Sequence, residues 1–200
     1  GFFEKSYRTS ELNYMKTIAS RGLLYTTTGR FALADEYTAK ALQLREEKLG
    51  NTNMAVAASL NNYAVLHYNL GKYNESEKEF NDAIAVIKTN KLQEAMPYAI
   101  VLNNQAMLYQ SMGNYEAAVK VLLQAMTLSA KLESAKARNQ LKFLSNLALL
   151  YQQMGKYAEA EKIYLELDKK LDKGKPEQAN MLNNYAILSL LMKKEDKVES

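Results

Sequence analysis

Cysteine is absent from the 200-residue sequence. That excludes a disulfide framework, a thiolate zinc site and a cysteine nucleophile, and it leaves the compartment open. Proline and glycine are scarce, at two and eight residues. With no long polar tract beside them, this composition argues against a disordered chain. No run of about 18 apolar residues is present, so no segment reads as a membrane span and no membrane insertion is expected. No basic-then-apolar leader opens the chain, yet its first residue is Gly1, and a processed or excised piece of a longer protein is expected. The formal charge of +4 is modest, and acidic and basic residues interleave, as in Glu75, Glu77, Lys78 and Glu79. Interleaved charge reads as solvated helix faces. A nucleic-acid partner would call for Lys and Arg clustered on one face, so none is expected.

What is present is repetition. Residues from Leu144 read LSNLALLYQQMGKYAEAEKIYLELDKKL. Nearly the same text stands at Leu102, LNNQAMLYQSMGNYEAAVKVLLQA, and at Leu60, LNNYAVLHYNLGKYNESEKEFNDA. The turn glycines Gly29, Gly71, Gly113 and Gly155 follow one another at 42-residue steps. A fixed step of about 20–50 residues marks a repeat array. Apolar residues make up 48% of the chain, enough to bury a core between stacked units.

Each unit reads as helix, glycine turn, helix. The spacing predicts first helices over 11–28, 53–70, 95–112, 137–154 and 176–192, and second helices over 31–49, 73–88, 115–132 and 157–170. Ser10 is placed to cap the first of these, and Pro97 sits in a first turn, where its missing N–H costs nothing. The resulting units are 11–52, 53–94, 95–136, 137–175 and a partial fifth over 176–200, with Lys193 in place of its turn glycine. Residues 1–10 read either as an extension or as the tail of a preceding repeat, with Phe2 and Phe3 at second-helix positions. Leu144, Leu147, Ala148 and Tyr151 form a core stripe at i, i+3, i+4, i+7. Leu60, Tyr63, Ala64 and His67 repeat it, as do Ile18, Arg21, Gly22 and Tyr25. Small residues recur in the first helices (Gly22, Ala64, Ala106, Ala148, Ala186) and in the second (Ala34, Ser76, Ala118, Ala160). They mark close helix crossings.

The small residue of the first helix, the turns Gly71-Lys72-Tyr73 and Gly155-Lys156-Tyr157, and the small residue three past the aromatic resemble the tetratricopeptide repeat. The 42-residue step, the LNN-x-A opening and the segment ALQLREEKLG from Ala41 are similar to the repeats of kinesin light chain and its bacterial relatives. The resemblance implies an all-α, right-handed superhelical solenoid of antiparallel helix pairs. Its first helices would line a concave face that binds peptides or proteins.

Asparagines recur at one place in the first helices: Asn61-Asn62, Asn103-Asn104, Asn146 and Asn183-Asn184. Stacking would set their carboxamides about 10 Å apart, the usual helix separation. A carboxamide donates and accepts together, so such a ladder suits the peptide bonds of an extended ligand. Asn61, Asn103 and Asn183 are the candidates to face the groove. Asn62, Asn104, Asn146 and Asn184 face either the groove or the adjacent repeat. Helical spacing adds Ala58, Val65 and Tyr68 in the second unit, and Ile100, Met107 and Gln110 in the third. It adds Lys142, Ser145, Leu149 and Gln152 in the fourth, and Asn180, Ile187 and Leu190 in the fifth. This surface mixes apolar groups with amides, and its only charges are Lys16 and Lys142, too few to clamp a terminal carboxylate.

No catalytic, metal or cofactor site is expected. The only histidine, His67, takes a core slot that tyrosine fills in other units. The glycines of note stop helices rather than cradle phosphate. The expected function is non-catalytic binding of a peptide or protein segment. The alternatives are assembly or self-association through the C-terminal end, where Leu188, Leu190, Leu191 and Met192 crowd, and a sensor segment of a larger signalling protein.

Overall fold

The computed structural model describes residues 2–132 and 136–198, with side chains for 9–132 and 139–193. Among the described residues every regular element is an α-helix: α1 (Phe2–Thr27), α2 (Phe31–Leu49), α3 (Met54–Asn69), α4 (Tyr73–Thr89), α5 (Met96–Ser111), α6 (Tyr115–Lys131), α7 (Lys136–Gln153), α8 (Tyr157–Lys170) and α9 (Pro176–Val198). The chain forms two compact units, 1–108 and 109–200, which divide α5 between them. In the first unit α1 packs on α2 and α3, α2 on α3, and α3 on α4. In the second, α7 packs on α6 and α8, and α9 on α8 and α7.

The helix–turn–helix corners follow from one device. Gly71 has φ +71°, a left-handed conformation that costs glycine nothing and any other L-residue about 1 kcal/mol. The turn is closed by Lys72 N–H donating to His67 O across 2.9 Å. The same bond recurs from Arg30 to Tyr25, Asn114 to Tyr109 and Lys156 to Tyr151. Asn53 caps α3 by accepting from Ala55 N–H at 2.9 Å, and Asn114 caps α6 by accepting from Ala117 N–H at 3.2 Å.

Two helix ends differ from the sequence expectation. Ser10 lies inside α1 and caps nothing, because the segment before it contains no proline and only Gly1, so the helix reaches back to Phe2. The side chains of Phe2 and Phe3 lie outside the described residues. Nor does α9 turn at Lys193; without a glycine there, the helix runs on to Val198.

The small slots carry the packing. Ala34, Ser76, Ala118 and Ala160 are fully buried, as are Ala64 and Ala148. Ser76 is tolerated because its hydroxyl donates to Ala64 O at 2.8 Å. A Cβ on Gly22 would lie 2.5 Å from Thr38 Oγ1 and 3.1 Å from Thr38 N. Ala186 repeats this slot but is exposed, since among the described residues no helix crosses α9 there. A second buried row, Leu66, Leu108 and Leu150, complements the expected stripe.

Polar joints pin one helix pair to the next. Tyr63 Oη on α3 donates to Asp35 Oδ1 on α2 at 3.0 Å. Gln105 Nε2 on α5 donates to Asn81 Oδ1 on α4 at 3.0 Å. Tyr185 Oη on α9 donates to Glu161 Oε1 on α8 at 3.1 Å. Arg45 is buried without a carboxylate; its Nη1 donates to Ala55 O at 2.9 Å and Ser59 Oγ at 2.8 Å. Burial pulls its pKa down.

Candidate functional site

In the first unit the expected amide ladder exists, but it is closed on itself. Asn104 Nδ2 donates to Asn61 Oδ1 at 3.0 Å, joining α5 to α3. Asn104 Oδ1 in turn accepts from Asn103 Nδ2 at 3.3 Å. The pairing therefore runs from the second member of one asparagine pair to the first member of the preceding one, 43 residues away. Asn103, expected to face a ligand, is 1% exposed and does not reach the surface. Its position on α5 turns the side chain between helices, where a carboxamide is retained only if hydrogen-bonded. Asn62 is half-buried, and among the described residues its side chain makes no hydrogen bond.

Around this amide line lie aliphatic groups. Val65 and Met107 are half-buried, and Ala58 and Ile100 are exposed. Leu23, one repeat step before Val65, is 44% exposed. Leu23 was missed among the candidate residues, although the 42-residue step identifies it. Tyr68 is half-buried, with its ring centroid 6.2 Å from that of Tyr73. Lys16 is exposed on α1.

The second unit divides its candidates. Lys142, Asn180, Asn183 and Ile187 are exposed, and Ser145, Asn146, Leu149 and Asn184 are half-buried. Gln110 is half-buried, and its Nε2 donates to Gln153 Oε1 at 2.6 Å. Ser145 donates to its own helix, to Leu141 O at 2.9 Å. Gln152 departs from expectation: it is buried and accepts a hydrogen bond from Tyr164 Oη at 3.1 Å. It faces α8, because Tyr164 fills the core slot opposite and needs a partner for its hydroxyl. Leu190, at 63%, is the most exposed large apolar side chain among those described.

His67 is buried, stacked on Tyr63 with ring centroids 4.5 Å apart, and its Nδ1 lies 2.9 Å from both carboxylate oxygens of Glu79. Burial pushes the Glu79 carboxyl up, and His67 pulls it back down. Both groups are packed between α3 and α4, with side chains 10% and 14% exposed. Among the described residues no cluster of three His, Asp or Glu side chains is arranged to hold a metal. Among the described residues no helix is long and apolar enough to cross a membrane.

Residues 14–89 and 97–167 match the tetratricopeptide-repeat family model. The chain belongs to the tetratricopeptide-repeat family, whose repeats generally serve protein–protein interaction and are generally non-catalytic. No curated protein matches the sequence. Solved structures do match. BtubC (BKLC) from P. vanneervenii is 20% identical with a TM-score of 0.74, over 89% of this chain and 71% of that one. A putative kinesin light chain from Podosopora anserina, with nearly identical TPR-like repeats, is 18% identical with a TM-score of 0.73, over 93% and 90%. The pilF protein of Pseudomonas aeruginosa is 21% identical with a TM-score of 0.66, over 94% and 72%. At these identities the likeness concerns the fold: an all-α helical-repeat solenoid resembling the repeats of kinesin light chain.

Proposed function

We propose that the chain is a non-catalytic interaction module whose first helices bind a peptide or protein segment. The observation that supports this most is the partly exposed aliphatic set on α1, α3 and α5, in which Leu23, Val65 and Met107 recur at one repeat position. The next position along α3 and α5, by contrast, is buried as Leu66 and Leu108. An aliphatic side chain left partly in water at successive repeats forgoes up to about 1 kcal/mol each, a cost consistent with a binding role. Rigid helices hold these groups in place, so little ordering is needed on binding. Selection of displayed random peptides on the 200-residue chain tests the reading. Peptides that bind this chain and not its Val65→Asp variant support it. Peptides indifferent to both Val65→Asp and Leu23→Asp would remove it.

A second reading is assembly through α9. Leu182 and Ala186 are exposed there, at places whose counterparts Leu60, Ala64, Leu102 and Ala106 are buried, and Leu190 is exposed beside them. Sedimentation that depends on protein concentration, and loses that dependence on Leu190→Glu, supports it. A monomer at all concentrations opposes it.

A further inference from the structure

The inner face of the first unit has an unusual balance. Its aliphatic side chains are available and its carboxamides are mostly committed. Asn61 Oδ1 and both polar ends of Asn104 are engaged in the amide line, and Asn103 lies 1% exposed. That leaves Asn62 as a carboxamide with no hydrogen bond among the described residues.

This decides between two ligand shapes. Helices pack about 8–10 Å apart, so Leu23, Val65 and Met107, at one position of successive first helices, repeat at about that interval. An extended peptide in the polyproline II conformation, with about three residues per turn and a rise of about 3.1 Å, presents a side chain on one face at that interval every third residue. An α-helix, rising about 1.5 Å per residue, does so every seventh. Spacing alone admits both. The backbone separates them: an extended chain brings N–H and C=O groups that must find partners, whereas Asn103 is buried and Asn104 is engaged at both ends, which leaves Asn62 and the Asn61 Nδ2 to meet them. A helix arrives with its backbone satisfied and needs only an apolar surface.

We propose that the inner face of the first unit binds an amphipathic α-helix with aliphatic side chains at every seventh position, laid across α1, α3 and α5. Those side chains meet Leu23, Val65 and Met107, and the locked Asn61–Asn104 bridge forms a rigid polar floor beside them. Ala58 and Ile100, both exposed about two turns away on α3 and α5, widen the apolar strip to suit a helix rather than a single strand. The inference rests on the inner face being the binding face, and it names the conformation and chemistry of what binds.

The test uses a phage-displayed library of random 21-residue peptides, selected on the 200-residue chain and deselected on the Val65→Asp variant. Leu23→Asp serves as a second variant should Val65→Asp unfold, since Leu23 is 44% exposed. Recovered peptides are expected to carry Leu, Ile, Val or Met at i, i+7 and i+14, and to gain helical circular dichroism on binding. A central proline should weaken them by at least about tenfold, because proline breaks a helix. Recovery of proline-tolerant peptides with aliphatics at every third residue, whose binding fails on backbone N-methylation, overturns the helical ligand and leaves the binding function standing. Recovery of no variant-sensitive peptide overturns both.

Discussion

The Asn104 carboxamide donates across 3.0 Å to Asn61, one helix pair away. A repeated asparagine thus serves first as a bond between repeats. The energetic weight of this bridge can be measured directly.

Replacing Asn104 by Ala is expected to cost about 1–2 kcal/mol, since it removes its part-buried hydrogen bonds to Asn61 and Asn103. Replacing Asn62 by Ala is expected to change stability by less than about 0.5 kcal/mol. Urea unfolding of the two variants checks the pair. Equal effects would mean the bridge is not the structural member.

Gly22→Ala should destabilise by about 1–2 kcal/mol even though alanine is the better helix former by about 1 kcal/mol. The added Cβ would sit 2.5 Å from Thr38 Oγ1, and overpacking of that kind costs about 1–3 kcal/mol. Thr38→Ala frees the nearest atom, so the double variant should be more stable than the sum of the singles. A thermodynamic cycle that closes additively would refute the crossing described at this point.

Arg45 is buried with two acceptors and no carboxylate among its hydrogen-bond partners. The next repeat places Ile87 at the same position, fully buried. Arg45→Met should therefore be neutral or stabilising by about 1 kcal/mol, because the desolvation of the charge disappears. Thermal melting reads the sign, and a loss of several kcal/mol would show the guanidinium to be a necessary bridge.

Burial raises the Tyr164 hydroxyl to about 12, against an unfolded value of about 10. Between those values the folded state holds more protons, so stability is intact below about pH 10 and falls as the pH rises toward 12. Tyr63 adds in the same direction; burial first, then Asp35, brings it to about 12. Tyr164→Phe should flatten part of this alkaline slope, while costing about 1 kcal/mol at pH 7 for the lost bond to Gln152. Denaturant midpoints at pH 8, 10 and 11.5 follow both effects.

Much of the fold was legible. A helix over 157–170 was expected and observed at both ends, because Gly155 and the aromatic after it carry a local signal strong enough to fix the turn. Ser10 and Lys193 misled for the opposite reason: a capping residue or a repeat position does not end a helix when nothing nearby breaks it. The candidate site was less legible. Periodicity places Asn103 and Asn104 in the right turn of α5, but which of the two turns between helices depends on how α5 rotates against its neighbours, a tertiary quantity. Gln152 was drawn inward by Tyr164, a partner 12 residues away on the next helix. The aliphatic position, by contrast, is legible: helical spacing names Val65 and Met107, and the 42-residue step adds Leu23.

The most direct test of the account is a methyl NMR titration of the 200-residue chain with a selected peptide. The account predicts shifts at the Leu23, Val65 and Met107 methyl groups, with those of Leu123 and Leu165, exposed on α6 and α8, unchanged. Shifts confined to Leu123 and Leu165 would place the ligand on the second helices and contradict it.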